Sequence, residues 1–241
     1  MPDPSPLRAP RTLLPGALAG EVLPRPQGAP DVWQLRTSEY YAQAGGDAAS
    51  EILDAAERKR FAAFRRQSDQ ESYGAAHVGL RRLLGAYLDQ DPAAVVLGRE
   101  DCPLCPEPHG RPCVPGSHLH FSLSHSGDLV LFAFGPTPVG VDVELVPGVA
   151  QTDEVATTLH PRERAELAAL GADDTRRRAA FGRCWCRKEA YFKGTGTGLA
   201  APIDGTYVGT GPRPGDIDGW QLTDLTMPEG YAAAMAHADS T

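Results

Sequence analysis

The segment Gly140–Val146, which reads GVDVELV, decides the fold class and the chemistry expected of this 241-residue chain. Apolar and polar side chains alternate in it, and this pattern predicts a β-strand with two unlike faces. Asp142 and Glu144 then project together from one face. Two carboxylates about 4 Å apart repel by roughly 4 kcal/mol at an effective dielectric near 20, and a bound cation removes that cost. An edge strand with a solvated acidic face explains this segment equally well.

A second stretch, Trp185–Lys193, reads WCRKEAYFK and lies in a helix predicted from about Thr175 to Lys193. On a helix, Trp185, Glu189 and Lys193 recur at i, i+4 and i+8, so they share one ridge. That ridge presents an aromatic ring, a carboxylate and an ammonium group in turn. An ordinary Glu–Lys ion pair beside a core tryptophan explains the same spacing, and it is the favoured interpretation of this stretch taken alone.

A third stretch, Ser122–Ser126, reads SLSHS and ends an alternating strand upstream of the other two. Adjacent residues of a strand point to opposite faces, and no Gly-x-Ser-x-Gly elbow is present, so a serine-hydrolase site is not predicted. A histidine with hydroxyl groups beside it at a strand end suits anion binding. A purely structural histidine is the alternative.

The order of predicted elements divides the chain into an irregular, proline-rich segment at 1–30, a first half at 31–137 and a second half at 138–241. Each half carries helices followed by strands, which predicts an α+β fold rather than repeated βαβ units. Helices are predicted at 49–64, 69–89, from 161 onward and at 175–193; strands are predicted at 31–36, 119–125, 129–134, 139–146, 220–225 and 231–236; and 98–118 is predicted to be a loop.

The composition narrows the classes of function. A formal net charge of −8 argues against general binding to nucleic acid, which draws its affinity from a basic face. No run of about 18 apolar residues predicts a membrane-spanning helix. Prolines also interrupt the N-terminal segment where a secretory signal would need an apolar run. The odd count of five cysteines indicates reduced thiols or a metal site, so a cytoplasmic protein that binds neither nucleic acid nor membrane is expected.

Taken in order and spacing, these stretches resemble the 4′-phosphopantetheinyl transferase superfamily, in its single-chain surfactin-synthetase-activator (Sfp-like) type. The family's Gly-x-Asp-x-Glu motif is similar to Gly140–Glu144, and its Trp-x-x-Lys-Glu-(x)₃-Lys motif is similar to Trp185–Lys193. Its Ser-His-Ser strand resembles Ser124–Ser126, and its Gly-Lys-Pro loop resembles Gly110–Pro112. The resemblance covers about residues 50 to 235, and four motifs in one order make it specific.

The resemblance implies a monomer of two similar α+β halves related by a pseudo-twofold axis, a pseudo-dimer with the active site in the cleft between the halves. It implies transfer of 4′-phosphopantetheine from coenzyme A to a serine hydroxyl of an apo acyl or peptidyl carrier protein, with release of 3′,5′-ADP. The carrier would serve fatty-acid, polyketide or non-ribosomal peptide biosynthesis. The implied cofactor is Mg²⁺, with Mn²⁺ as an alternative, and hard oxygen ligands beside a phosphate agree with that metal.

The resemblance also implies roles for single residues. Asp142, Glu144 and Glu189 would hold the metal ion. Glu189 would in addition be the general base for the attacking serine hydroxyl. Lys193 would neutralise charge on the leaving 3′,5′-ADP, and Lys188 would assist it or form a structural pair.

On the coenzyme A side, the resemblance implies a pocket for the 3′-phosphate and the adenine edge. Arg111 stands where the family commonly has lysine, and it keeps the charge while adding bidentate reach. Glu57 and Ser72 stand where the family often has basic residues. The implied cofactor-binding residues are Arg60, Gly110, Arg111, Pro112, Ser124, His125 and Lys193.

Two competing interpretations come from the same sequence. The group Cys102, Cys105, His109 and Cys113 has the composition of a zinc site, which would make the protein a zinc-knuckle-like binding module. Both of its later gaps are one residue shorter than in a zinc knuckle. A metal-dependent hydrolase of phosphate esters is a third hypothesis, since it would use the same carboxylates.

Overall fold

The computed structural model of the protein describes residues 8–44, 46–105 and 110–240. The helices are α1 (Thr37–Ala44), α2 (Gly46–Ile52), α3 (Ala55–Ala63), α4 (Gln67–Leu88), α5 (Val149–Ala156), α6 (Pro161–Ala168) and α7 (Asp174–Thr195). The strands are β1 (Arg11–Thr12), β2 (Asp31–Arg36), β3 (Gly98–Arg99), β4 (Pro112–Cys113), β5 (His120–Ser126), β6 (Leu129–Gly135), β7 (Val139–Leu145), β8 (Trp220–Asp224) and β9 (Tyr231–Ala238).

The first sheet has the strand order β1-β2-β6-β5. β6 is antiparallel to both of its neighbours, β2 and β5, and it forms a hairpin with β5 across Gly127 and Asp128. β1 is parallel to β2. Helix α4 covers one face of this sheet, since the apolar residues that recur at helical spacing along it are buried in one cluster with the sheet. That cluster includes Leu80, Leu83, Leu84, Trp33, Leu35, Phe132 and Phe134.

The second sheet has the order β7-β9-β8, with all strands antiparallel. Helix α7 packs very closely against it. A Cβ atom built on Gly140 would lie 1.9 Å from the carbonyl oxygen of Ala190, so only glycine fits where β7 passes under α7. Small side chains on β9 allow the same approach, and Ala232, Ala234 and Ala236 are buried against Cys186 and Ala190.

A further apolar cluster joins the two sheets. Val32, Leu129 and Leu131 of the first sheet are buried together with Val141 and Val143 of the second. The apolar face of the Gly140–Val146 alternation therefore lies between the sheets, as the alternation predicts. Its other face is left for Asp142 and Glu144 beneath α7.

The prediction of a mixed α+β fold is confirmed. The strands from β5 onward lie within two residues of their predicted bounds, and so do the two long helices α4 and α7.

Two sequence predictions were wrong, and two helices were not predicted. The helix predicted at 49–64 is broken, because the Asp54 side chain accepts from the Glu57 backbone N–H and starts a new helix there. The loop predicted at 98–118 contains the short ladder of β3 and β4. Helices α1 and α5 were not predicted at all.

Within the described residues, no helix is both long and apolar enough to cross a bilayer.

Candidate functional site

The edges of the two sheets meet where β5 runs beside β7. Serine hydroxyls of β5 accept hydrogen bonds from the backbone of β7: Val141 N–H donates to Ser122 Oγ, and Leu145 N–H donates to Ser126 Oγ, each at 3.1 Å. The contacts advance along both strands in the same direction. These bonds hold the SLSHS stretch against the GVDVELV stretch.

Two of the β5 serines also contact the predicted metal ligands. Ser124 Oγ donates to Asp142 Oδ1, and Ser126 Oγ donates to Glu144 Oε2, both at 2.8 Å. From α7, Lys193 Nζ donates to Asp142 Oδ1 at 2.7 Å and to Ser124 Oγ at 2.9 Å. The Lys193 side chain is 31% exposed while that of Asp142 is 2% exposed, so a buried carboxylate is paired with an ammonium group at the site mouth.

The second carboxylate oxygen of Asp142, Oδ2, is buried and has no hydrogen-bond partner among the described residues. A buried, unsatisfied carboxylate oxygen costs about 1–3 kcal/mol or more, so its retention needs a reason. A cation bound at this oxygen would supply one.

Glu144 and Glu189 lie close enough to Asp142 to interact with its charge. Burial raises the pKa of both carboxyls, and the charge of Asp142 raises each further, with Lys193 opposing the shift. Three acidic groups therefore lie within electrostatic range of one another, with the ammonium group of Lys193 also in range. This electrostatic arrangement favours either extra protons or a bound cation.

The fit to a metal ion is incomplete in one respect. Across residues 8–44, 46–105 and 110–240, no group of three His, Cys, Asp or Glu side chains has the arrangement of a ready-made metal site. Lys193 Nζ already contacts Asp142 Oδ1. The donor set is nevertheless the all-oxygen type that Mg²⁺ prefers, and the orphaned Oδ2 of Asp142 belongs to it.

A cavity of about 1070 Å³ opens on the opposite side of β5. Because side chains alternate along a strand, Phe121, Leu123 and His125 line this cavity while the serines face β7. Two further predicted cofactor-binding residues, Arg60 and Pro112, line it as well. The volume suits a ligand of nucleotide size.

His125 joins the cavity to the acidic site electrostatically. Burial lowers its pKa, and the positive charges of Lys193 and His77 lower it further. His125 is therefore near Lys193, although His125 lies on β5 of the first sheet and Lys193 lies on helix α7, which packs on the second sheet. A ligand in the cavity that contacts His125 would extend toward the carboxylates.

Several polar residues of the cavity were not predicted as site residues, and two of them stand out. Arg99 lines it and donates to the Gly110 carbonyl at 3.0 Å. His77 lines it too, stacked on Tyr73 with ring centroids 3.9 Å apart. No sequence motif marks either residue: Arg99 stands in a short β-ladder opposite Pro112, and His77 lies within the long helix α4.

Glu57, which departs from the family pattern, has a structural role. Its Oε1 pairs with His77 Nδ1 at 2.8 Å and its Oε2 accepts from Arg81 Nε at 2.5 Å. Arg81 is fully buried within the described structure. It also donates to Asp54 and to the carbonyls of Pro92 and Val95. The negative charge of Glu57 is thus committed to this network.

Lys188 lies elsewhere than predicted, and this corrects its assignment to the catalytic group. Its side chain is 1% exposed and forms an ion pair with Glu163 at 2.9 Å. It also donates to the carbonyls of Ile203, at 2.9 Å, and Thr206. Three acceptors surround the ammonium group, so it fits the structural alternative.

The residues predicted to bind the cofactor fall into two groups, those that line the cavity and those that do not. Ser124 faces Asp142 and Lys193 rather than the cavity, which corrects its pairing with His125. Gly110 is buried against the backbone of Glu100 and Asp101. Arg111 pairs with Glu100 and with the end of α7. Arg60, Pro112 and His125 are the predicted residues that line the cavity.

The cysteine-rich loop gives the zinc interpretation no support. His109 lies outside the described residues. No disulfide forms among the five cysteines, all of which are described. The described residues likewise hold no metal-type group that includes Cys102, Cys105 and Cys113.

Comparisons with known proteins agree with the sequence motifs. The family model described as the 4′-phosphopantetheinyl transferase superfamily matches residues 138–214. The 4′-phosphopantetheinyl transferase Sfp of Bacillus subtilis strain 168 is 32% identical over 114 residues, which are 46% of this chain and 49% of that protein. The 4′-phosphopantetheinyl transferase HetI of a Nostoc species is 32% identical over 168 residues, 66% of this chain and 67% of its own length. A phosphopantetheinyl transferase of a Thraustochytrium species is 30% identical over 228 residues, 84% and 74% of the two lengths.

The match thus spans about half the length of the Bacillus relative and two thirds or more of the other two.

Proposed function

The chain belongs to the 4′-phosphopantetheinyl transferase superfamily, and on this premise we propose that it is an enzyme that transfers 4′-phosphopantetheine from coenzyme A to a serine hydroxyl of an apo acyl or peptidyl carrier protein. One observation carries the proposal. The carboxylates of Asp142, Glu144 and Glu189 gather with Lys193 at one side of β5, and a cavity lined by both basic and acidic side chains, Arg60 and Arg99 among them, opens at the other. A pyrophosphate and its 3′-phosphorylated nucleoside need both features.

In the proposed reaction the serine oxygen of the carrier attacks the phosphorus atom that bears the pantetheine group. The bond from that phosphorus to the bridging oxygen breaks, and 3′,5′-ADP leaves. Glu189 accepts the proton of the serine hydroxyl, since burial and neighbouring carboxylates raise its pKa toward the working pH of a base. Lys193 presents its ammonium group to the charge that develops on the leaving oxygen.

Asp142, Glu144 and Glu189 would hold a Mg²⁺ ion, with Mn²⁺ as the alternative. Such an ion supplies positive charge that screens the pyrophosphate during the transfer. The orphaned Asp142 Oδ2 and the mutual repulsion of the carboxylates support this assignment.

On the coenzyme A side, we assign the 3′-phosphate and adenine end to the cavity. Arg60 and His125 supply polar and charged contacts there, Pro112 lines the wall, and Gly110 shapes the loop behind it. Arg99 joins this set because it shares the lining. Substitution of His125 by Gln should weaken the binding of coenzyme A more than that of its 3′-dephospho form.

The proposed architecture is two similar halves, 31–137 and 138–241, related by a pseudo-twofold axis. The support is topological. Among the longer strands of the two main sheets, the first strand of each half pairs with the third and the third pairs with the second, giving β2-β6-β5 and β7-β9-β8. Each half also carries a helix of 22 residues against its sheet. A monomer and a cytoplasmic location stay predictions.

The decisive test is direct. The purified protein is mixed with Mg²⁺, coenzyme A and a panel of apo carrier proteins from fatty-acid, polyketide and peptide synthases, and each carrier is weighed by mass spectrometry. We expect the mass of one phosphopantetheine to be added to at least one carrier. When EDTA is present during the reaction, we expect no added mass. Release of inorganic phosphate with every carrier unchanged would instead favour the phosphate-ester hydrolase.

A further inference from the structure

Arg111 is held by bonds inside the protein from two directions. Its Nε and Nη2 donate to Glu100 Oε2 at 3.0 and 2.5 Å, and its Nη1 donates to the Gly194 carbonyl at 2.7 Å. The side chain is only 17% exposed. Each guanidinium nitrogen therefore already has an acceptor within the chain.

The Gly194 carbonyl lies in the last turn of α7, where backbone acceptors have no partner within the helix. A cation at this end also opposes the partial negative charge of the helix dipole. The helix stops at Gly196, whose left-handed backbone (φ +77°) caps it. A Cβ on Gly196 would lie 3.0 Å from Arg111 Cγ, so the side chain packs directly on the cap.

The residue before Gly194 is Lys193, whose ammonium group contacts Asp142 and Ser124. Arg111 directly precedes β4, in which Pro112 pairs with Arg99 of the cavity wall. The guanidinium thus connects the wall of the cavity with the helix end that carries Lys193.

On the basis of the proposed function, we infer that Arg111 is a positioning residue: the Glu100–Arg111–Gly194 connection fixes the end of α7 and so places Lys193 for the transfer. In this role Arg111 does not bind the 3′-phosphate. Arg60, Arg99 and His125 meet that group instead, because they line the cavity.

The test compares Arg111→Gln with Glu100→Gln, which removes the acceptor but leaves the arginine. For both variants, kcat and KM are measured with coenzyme A and with 3′-dephospho-coenzyme A. We expect Arg111→Gln to lower kcat by roughly tenfold to a hundredfold, by the same factor for both substrates, because the ammonium group is misplaced. Glu100→Gln should lower kcat in the same manner but less, and Arg111→Lys should restore part of the loss.

The opposite result would be a rise in KM for coenzyme A alone, with 3′-dephospho-coenzyme A unaffected and Glu100→Gln behaving as the unaltered protein. That pattern would make Arg111 a phosphate ligand and overturn the inference. A lower unfolding temperature with unchanged kcat would reduce it to a structural role and overturn it equally.

A second measurement needs no substrate. Amide hydrogen exchange of the peptide that contains residues 193–197 should be faster in Arg111→Gln and in Glu100→Gln than in the unaltered protein. Unchanged exchange in both variants would refute the connection. If the unaltered protein modifies no carrier, the proposed function fails, and this exchange experiment still decides whether Arg111 holds the helix end.

Discussion

The two long helices α4 and α7 have the same length, and each covers one sheet, yet one buried charged group beside each helix is satisfied by its partners to a different extent. On α4, the buried guanidinium of Arg81 meets two carboxylates and two carbonyls. Beneath α7, the buried carboxylate of Asp142 keeps one oxygen without a partner among the residues that the structure describes, and its charge raises the pKa of Glu144 and Glu189.

The difference teaches where function lies in this molecule. A buried ion that has all its partners within the chain maintains the fold, and its network needs nothing more. A buried group of like charges with too few partners destabilises the fold. Such a group is retained in a protein when a bound ligand supplies the missing partners. Lys188 of α7 is also buried and fully paired, so the pattern of partners, and not the helix or its charge content, separates the two groups.

The largest effect is expected on the α7 side. Asp142→Asn and Glu189→Gln should each reduce transfer to a carrier protein by about 10³-fold or more, because each removes a charge that acts in the reaction. Circular dichroism should show an unchanged fold. The control is Glu154→Gln, which removes an exposed carboxylate of α5. Near-normal turnover by Glu189→Gln would refute its assignment as base and ligand.

The second effect concerns the α4 side, and it should appear in stability. Arg81→Met leaves the carboxylates of Glu57 and Asp54 without their cation, and we expect the free energy of unfolding to fall by about 3–5 kcal/mol. Urea denaturation measures it. The neighbouring Arg82→Met, which loses one bond to Tyr40, should cost less than about 1 kcal/mol. An equal fall in the free energy of unfolding of the two variants would mean that the Arg81 network stabilises the fold no more than the single Arg82 bond does.

The third prediction contrasts the closeness of the two helices to their sheets. Gly140→Ala places a methyl group against the backbone of Ala190, which cannot move aside, and should cost about 1–3 kcal/mol. Gly79→Ala on α4 meets only the side-chain ends of Leu35 and Phe132. The gain in helix propensity offsets that contact, so a change within about 1 kcal/mol is expected. Thermal unfolding of the two variants compares them.

The smallest effect is a pH dependence. Raised pKa values in Glu144 and Glu189 mean that the folded chain keeps protons to higher pH than the unfolded chain does. Their contribution to stability is therefore most favourable below the ordinary carboxyl pKa of 4.5, and it becomes unfavourable as pH rises through the raised values. Solvent screening limits the effect to about 1 kcal/mol.

This pH effect is measured as the difference in unfolding temperature between the protein and its Glu144→Gln variant, in EDTA, between about pH 5 and pH 8. The variant should gain on the unaltered protein as pH rises, and Mg²⁺ should remove that gain by stabilising the unaltered protein alone. A difference that does not change with pH would contradict the crowding of charges at this site.

Local patterns in the sequence were enough to predict much of the fold. Alternation over Gly140–Val146 gives the strand and its two faces, and the spacing of Trp185, Glu189 and Lys193 gives their helix. The break at Asp54 was also readable, since Asp54 and Glu57 form a capping-box pattern. The helix predicted at 49–64 nevertheless runs through this capping-box pattern.

Contacts between distant segments could not be read in this way. The burial of Lys188 depends on Glu163, and that of Arg81 depends on carbonyls beyond the end of its helix. No regular spacing in the sequence marks Glu163 or these carbonyls as partners of the two cations. The same holds for Arg111, whose acceptor at Gly194 lies 83 positions away. Motif resemblance names the residues of a site, whereas side-chain partners decide which of them are free to bind a ligand.

The serines of β5 have a consequence for solubility. β5 and β7 are the outermost strands of their sheets on the sides where the sheets meet, and an exposed outermost strand is a template for pairing with another chain. Here Ser122 and Ser126 take up backbone N–H groups of β7 that a foreign strand would otherwise bind. The arrangement that holds the acidic residues in place thus also shields two strand edges from aggregation.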